Sequence, residues 1–142
     1  MKLKDIMTAQ VEVLPPEASI LEAAQIMDSR DVGSVPVCDG EKVLGLVTDR
    51  DITIKLIAKG LDPNQVQIRD IMTSPIIYAF EDQSVEEAGN IMQANQIRRL
   101  VVLNREKKMV GVVALGDMAT KTDPVLSGEA LEEISEPDAK IA

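Results

Sequence analysis

Leu3-Lys4-Asp5-Ile6-Met7-Thr8 is written again, with conservative changes, as Ile68-Arg69-Asp70-Ile71-Met72-Thr73. The recurrence extends outward from that stretch. Ser19-Ile20-Leu21-Glu22-Ala23 returns as Ser84-Val85-Glu86-Glu87-Ala88, and Ile26-Met27 as Ile91-Met92, at a spacing of 65 residues. One extra residue enters near Lys108. After it Gly45-Leu46-Val47 meets Gly111-Val112-Val113, and Asp51 meets Asp117, at a spacing of 66. A duplication of this length decides the fold before any single residue does. Two copies are too few for a solenoid, so the expected architecture is two related halves packed about a pseudo-twofold axis. The cleft between them is the expected ligand site.

Each copy reads as β-α-β-β-α. A short amphipathic turn opens it, followed by an extended stretch at Val11–Leu14 or Ile76–Phe80. Ser19-x-x-Glu22 and Ser84-x-x-Glu87 are capping boxes, in which the Ser oxygen takes an orphan helix N–H and the Glu reaches back. Behind them Ile20, Ala23, Ala24, Ile26 and Met27, matched by Val85, Ala88, Ile91 and Met92, recur at helical spacing and predict helices with one buried face. Hairpins follow, with strands at Ser34–Cys38 and Val43–Thr48 in one copy and Leu100–Leu103 and Met109–Ala114 in the other. A last helix is expected from Asp49 to about Lys59, with its counterpart starting near Gly116. The domain reading is a first repeat at 1–60, a linker at 61–67, a second repeat at 68–121 and a flexible acidic tail at 122–142. Leu126, Ala130, Leu131 and Ile134 in the tail offer an alternative, a short helical stripe that docks on a partner chain.

Composition narrows the function. The chain is 45% hydrophobic, yet Tyr78 and Phe80 are its only aromatics, so the core is aliphatic. Stacking platforms for single-stranded nucleic acid are missing, and a formal charge of −9 argues against nucleic acid as a partner. Six acidic residues and one Lys lie in 122–142, so the body is nearly balanced and leaves room for a local basic pocket. With no His and a single Cys, a zinc site is not expected, and Ser–His and Cys–His catalysis are excluded. The expectation is a protein that is not an enzyme and has no catalytic cofactor or metal. Without an apolar run of membrane-spanning length or a signal-peptide pattern, a soluble cytoplasmic protein is expected.

The sharpest local feature is Gly45-Leu46-Val47-Thr48-Asp49-Arg50-Asp51, where a strand gives way to a helix. Unpaired N–H groups and the positive end of a helix dipole at such a corner favour phosphate. A Thr hydroxyl donates to a phosphate oxygen, and a carboxylate three residues on accepts from a ribose diol. Thr-x-x-Asp is equally a capping-box pattern that does no more than start a helix. In the second copy Ala114 replaces the Thr while Asp117 persists, and a carboxylate kept without its capping partner favours a ligand role. Arg98-Arg99 precede the strand Leu100–Leu103, where the first copy has Gly33-Ser34; Arg is suited to phosphate through its planar fork.

At these residues the chain resembles the cystathionine-beta-synthase (CBS) domain family, in its tandem pair, the Bateman module. The likeness covers about residues 1–121. It rests on the doubled Asp-Ile-Met-Thr, on Ser34-Val35-Pro36-Val37-Cys38-Asp39, on Arg98-Arg99-Leu100-Val101-Val102-Leu103 and on Gly45 to Asp51. The resemblance implies an α+β fold of two CBS repeats and a regulatory sensor that binds an adenosyl ligand (AMP, ADP, ATP or S-adenosylmethionine) between them. It implies a homodimer, and a protein target regulated in trans. By position it assigns the ribose to Asp51, places Thr48 near phosphate, sets adenine against Leu46, Ile76 and Ile77, and gives the phosphate to Arg98 and Arg99. A second, weaker site is implied at Val11, Glu12, Val112, Ala114 and Asp117 facing Gly33 and Ser34, with Arg50 compensating for the missing basic pair. The alternative is a ligand-independent dimerisation scaffold.

Overall fold

The computed structural model describes residues 1–121. These form two compact units that do not coincide with the sequence repeats: one is Val11–Ile76, the other joins Met1–Gln10 to the chain from Ile77 onward. They are called here the N-unit and the C-unit. The expected acidic tail, and the apolar stripe within it, lie outside the described residues.

In the N-unit, helix α1 (Ile20–Arg30) starts at a formed capping box. The Glu22 N–H donates to Ser19 Oγ at 3.1 Å, and the Ser19 N–H donates to Glu22 Oε2 at 2.9 Å. Strands β1 (Ser34–Asp39) and β2 (Lys42–Thr48) pair antiparallel, with Gly40 at φ 62° in their tight turn. The closing helix α2 (Asp49–Asp51) widens at once into a π-turn over Ile52–Ile57. The widening is visible in the Ala58 N–H donating to the Thr53 carbonyl, five residues back. Here the β-branched run Ile52-Thr53-Ile54 crowds the helix, and the Thr53 hydroxyl donates to the Asp49 carbonyl at 3.1 Å.

The C-unit repeats the plan. Strand β3 (Tyr78–Phe80) runs parallel to β4 (Arg99–Leu103), which pairs antiparallel with β5 (Met109–Ala114). Helices α3 (Val85–Asn95, capped by Ser84 and Glu87) and α4 (Leu115–Lys121) complete it. The shared architecture is α+β, and each unit has its own aliphatic core.

One predicted strand is cut short. Val11–Leu14 contributes a single parallel bridge, Leu14 to Val37, where its counterpart forms a true strand. The reason lies two residues on. The Glu81 N–H extends the C-unit ladder to the Leu103 carbonyl at 2.9 Å, whereas Pro16, in the equivalent place, has no N–H to give.

The opening turns exchange partners. Leu3–Asp5 hangs on the C-unit through Leu3 N–H to the Gln83 carbonyl (2.9 Å) and Lys4 N–H to the Glu81 carbonyl (3.0 Å). Ile68–Asp70 hangs on the N-unit in the same way, through Ile68 N–H to the Ala18 carbonyl (3.0 Å) and Arg69 N–H to the Pro16 carbonyl (3.1 Å). Leu3 and Ile68 are both fully buried, each in the core of the unit that receives it. Each unit is therefore one repeat's body closed by the other repeat's opening turn.

The capping boxes set a local stability term. Ser19→Ala removes one of the two bonds at the start of α1 and leaves Glu22 N–H without its side-chain acceptor. A loss of about 1 kcal/mol is expected, read from urea denaturation; an unchanged midpoint would show that this box contributes nothing.

Candidate functional site

Thr48 and Asp51 are the buried polar residues of the described core, each 6% exposed. They form the capping box that their spacing allows. Thr48 Oγ1 accepts from the Asp51 N–H at 3.0 Å, and Asp51 Oδ2 accepts from the Thr48 N–H at 2.9 Å. The carboxylate has two more partners. Lys55, one turn further along the helix, places Nζ 3.0 Å from Oδ1. The Thr73 hydroxyl, on the incoming turn, lies 3.2 and 3.3 Å from the two oxygens. An isolated buried carboxylate would be costly; this one is charge-compensated and hydrogen-bonded on both oxygens.

The N–H groups of the corner are spent, contrary to the expectation that they point outward unpaired. Asp49 N–H donates to the Gly33 carbonyl at 3.0 Å, Arg50 N–H to Asp49 Oδ1 at 2.9 Å, and Asp51 N–H to Thr48. None of these three N–H groups is left for a phosphate. Asp117 likewise has a local partner. Its Oδ2 accepts from the Ala114 N–H at 2.8 Å, so half of the capping box survives without the hydroxyl and by itself accounts for the retained carboxylate.

The same side chains recur around both corners. Lys121 stands 3.6 Å from Asp117 and donates to the Ile6 carbonyl at 3.1 Å; Lys55 donates to the Ile71 carbonyl at 3.2 Å. Each opening turn also zips onto the second hairpin strand, through the bridges Leu46–Thr73 and Thr8–Val112. The approach is close enough to require glycine. A Cβ on Gly45 would sit 2.7 Å from the Thr73 carbonyl oxygen, and one on Gly111 would sit 2.6 Å from that of Thr8. These lysines and glycines were missed as site-forming residues. Their doubled occurrence was the available signal, since Lys55 and Lys121 keep the 66-residue spacing.

The remaining expected residues divide between the units. Leu46, Thr48, Asp51 and Ile76 belong to the N-unit; Ile77, Arg98 and Arg99 belong to the C-unit. Within the C-unit Arg99 pairs with Ala114, and the Arg98 carbonyl accepts from the Leu115 N–H at 2.8 Å. The basic pair thus stands at the corner that carries Asp117. Of the second expected set, Val112, Ala114 and Asp117 are in the C-unit, while Val11, Glu12, Gly33, Ser34 and Arg50 are in the N-unit. Glu12 is engaged by Arg30 at 2.7 Å. Among the described residues neither Arg98 nor Arg99 has a carboxylate partner.

A groove of about 830 Å³ opens elsewhere in the N-unit, over Ile20, Leu21, Leu56, Ile57 and Val66, and includes none of the expected ligand residues. Cys38 is buried, and burial pushes its thiol up from the usual cysteine range, away from the reactive thiolate. No group of three His, Cys, Asp or Glu among the described residues could hold a metal ion. No described helix is long and apolar enough to cross a membrane.

The doubled sequence has counterparts in known proteins. The CBS domain family model matches twice, at residues 3–58 and 68–121. The chain is a CBS-domain protein. It is 37% identical over 134 residues to the CBS domain-containing protein YhcV of Bacillus subtilis, covering 94% of each chain. Among solved structures it is similar to Hypoxic Response Protein I, described with two coordinated zinc ions, at 35% identity and TM-score 0.78 over 87% of this chain and all of that one. It is also similar to the CBS domain pair of MJ0100, in complex with 5-methylthioadenosine and S-adenosyl-L-methionine. There the identity is 29% and the TM-score 0.76, over 84% of this chain and 98% of that one. The tandem CBS pair that the resemblance implied is thereby established.

Proposed function

We propose that this CBS pair is a regulatory module that binds an adenosyl ligand and signals to a protein target in trans, as a homodimer without catalytic activity. The observation that carries this reading is the buried, charge-compensated carboxylate of Asp51. It is held in place by the Thr48 N–H, while Thr73 and Lys55 occupy positions that a pair of ribose hydroxyls can take. Support comes from MJ0100, a CBS pair solved with two adenosyl ligands. Leu46 and Ile76, in the same unit as Asp51, offer apolar surface to adenine, and Ile77 follows where the chain enters the C-unit. Arg98 and Arg99, at the Asp117 corner and with no described carboxylate partner, offer a phosphate or carboxylate charge-assisted hydrogen bonds there. AMP, ADP, ATP and S-adenosylmethionine all fit this chemistry.

The test is calorimetric titration of the full chain with AMP, ATP and S-adenosylmethionine, before and after Asp51→Ala. Loss of the two diol hydrogen bonds to a charged acceptor predicts weakening by roughly 2–4 kcal/mol, or more than tenfold. Unchanged binding in the variant removes Asp51 from the site.

A second reading, an interaction scaffold, draws on the groove over Leu56 and Val66 and on Leu21 and Ile57, each 63% exposed. Thermal melting separates the two. A ligand at 100 times its Kd adds about 2.7 kcal/mol to stability, whereas a scaffold melts alike with every nucleotide.

A further inference from the structure

We infer that Lys55 and Thr73 are internal competitors for the ligand position on Asp51, so that a ribose diol engaging this carboxylate unfastens the turn Ile68–Thr73. The inference rests on the reading of Asp51 given above and adds to it a positioning role for two residues outside the expected site.

The geometry is that of a strap. Lys55 Nζ reaches two groups at once, Asp51 Oδ1 at 3.0 Å and the Ile71 carbonyl at 3.2 Å. Thr73 joins the same carboxylate through its hydroxyl and the strand β2 through its backbone, with N–H to the Leu46 carbonyl at 2.8 Å and the reverse bond at 3.0 Å. Beside its backbone bonds to Leu46, Ala18 and Pro16, the incoming turn is therefore held to the N-unit by side chains at Ile71 and Thr73, and both of these side-chain fastenings run through the Asp51–Lys55 pair. Of the carboxylate's partners, the Thr48 N–H is fixed by the backbone. Lys55, with its side chain 45% exposed, and Thr73, an exposed residue, are the ones an entering hydroxyl can replace. A diol that takes their places leaves Lys55 without its anion and Thr73 without its acceptor. The turn then keeps its backbone bonds, its buried apolar side chains and a Lys55–Ile71 contact that Asp51 no longer anchors. It lies just before Ile76, where the chain leaves the N-unit. Loosening it gives occupancy at Asp51 a mechanical consequence in the chain, and a ligand shifts such an equilibrium only through this kind of differential contact. The corner at Asp117, Lys121 and Ile6 repeats the lysine half of the device, with a longer 3.6 Å ion pair.

The experiment uses adenosine, which is uncharged and so isolates the diol contact from phosphate electrostatics, beside 2′,3′-dideoxyadenosine, which lacks the diol. Lys55→Met and Thr73→Val keep the apolar volume of each side chain and remove the competing group. Each is expected to bind adenosine about two- to fivefold more tightly, the size expected on removing a half-exposed polar pair, while dideoxyadenosine binding stays as in the wild type. In wild-type protein adenosine is expected to speed amide exchange at Leu46 and Thr73, and Lys55→Met alone should do the same without ligand. Adenosine binding that is lost in Asp51→Asn but unchanged or weakened in both Lys55→Met and Thr73→Val overturns the competition and leaves the ligand reading standing. A wild-type protein that binds no adenosyl compound overturns both.

Discussion

Gly45→Ala is expected to lower the unfolding free energy by about 2–3 kcal/mol, at the upper end of what overpacking a tight contact costs. The new Cβ would meet the Thr73 carbonyl oxygen at 2.7 Å and Met72 Sδ at 2.9 Å. Met72 can rotate away. The carbonyl cannot, because it is the acceptor of the Leu46 N–H, and moving it pulls apart the pair of bonds that fastens the second repeat's opening turn to β2. Gly111→Ala should behave alike, against the Thr8 carbonyl at 2.6 Å and Met7 Sδ at 2.8 Å. The control is Gly116→Ala in α4, where a Cβ meets nothing within 4 Å. There alanine is expected to stabilise by roughly 0.5–1 kcal/mol, through helix propensity and a less flexible unfolded chain. Urea denaturation of the three variants gives the comparison. Three equal midpoints would mean that the close approach of turn and strand is not what those two glycines serve.

What was legible in the sequence is what is decided locally. Ser19-x-x-Glu22 and Ser84-x-x-Glu87 close their boxes within four residues, so pattern and structure agree. The hairpins β1–β2 and β4–β5 follow from short apolar, Val-rich runs around short polar turns. The exchange of opening turns was not legible, for a physical reason. Leu3, Ile6, Met7 and Thr8 match Ile68, Ile71, Met72 and Thr73 so closely in shape and polarity that either turn suits either glycine. Pairing between nearly identical partners is set by long-range chain path, which leaves no trace in residue type. The spent N–H groups at Asp49 and Arg50 failed for a related reason, since one of their acceptors is the Gly33 carbonyl, sixteen residues away and invisible to a corner motif. The short first strand, in contrast, was written in the sequence. Pro16 stands where Glu81 donates, and comparing the copies for missing N–H groups would have shown it.

Leu3→Ala is expected to cost about 2–5 kcal/mol, the range for truncating a fully buried leucine. Leu3 packs with residues far from it in sequence. It is 0% exposed and belongs to the C-unit core with Val85, Ala88, Met92, Leu100 and Val113, residues 82 to 110 positions further along the chain. Its backbone N–H is held by Gln83, and the Val85 N–H returns the contact to the Met1 carbonyl. Removing three side-chain carbons therefore opens a cavity in the middle of a unit whose body begins at Ile77. With total stabilities of about 5–15 kcal/mol for a domain, such a loss is a large share of what holds the C-unit together. Leu21→Ala is the matched comparison. Leu21 is 63% exposed on α1, and its truncation should stay within roughly 0.5 kcal/mol of wild type. Urea denaturation followed by circular dichroism reads both. A silent Leu3→Ala would mean that the first turn does not close the C-unit core, and the exchange of opening turns between the repeats would fall with it.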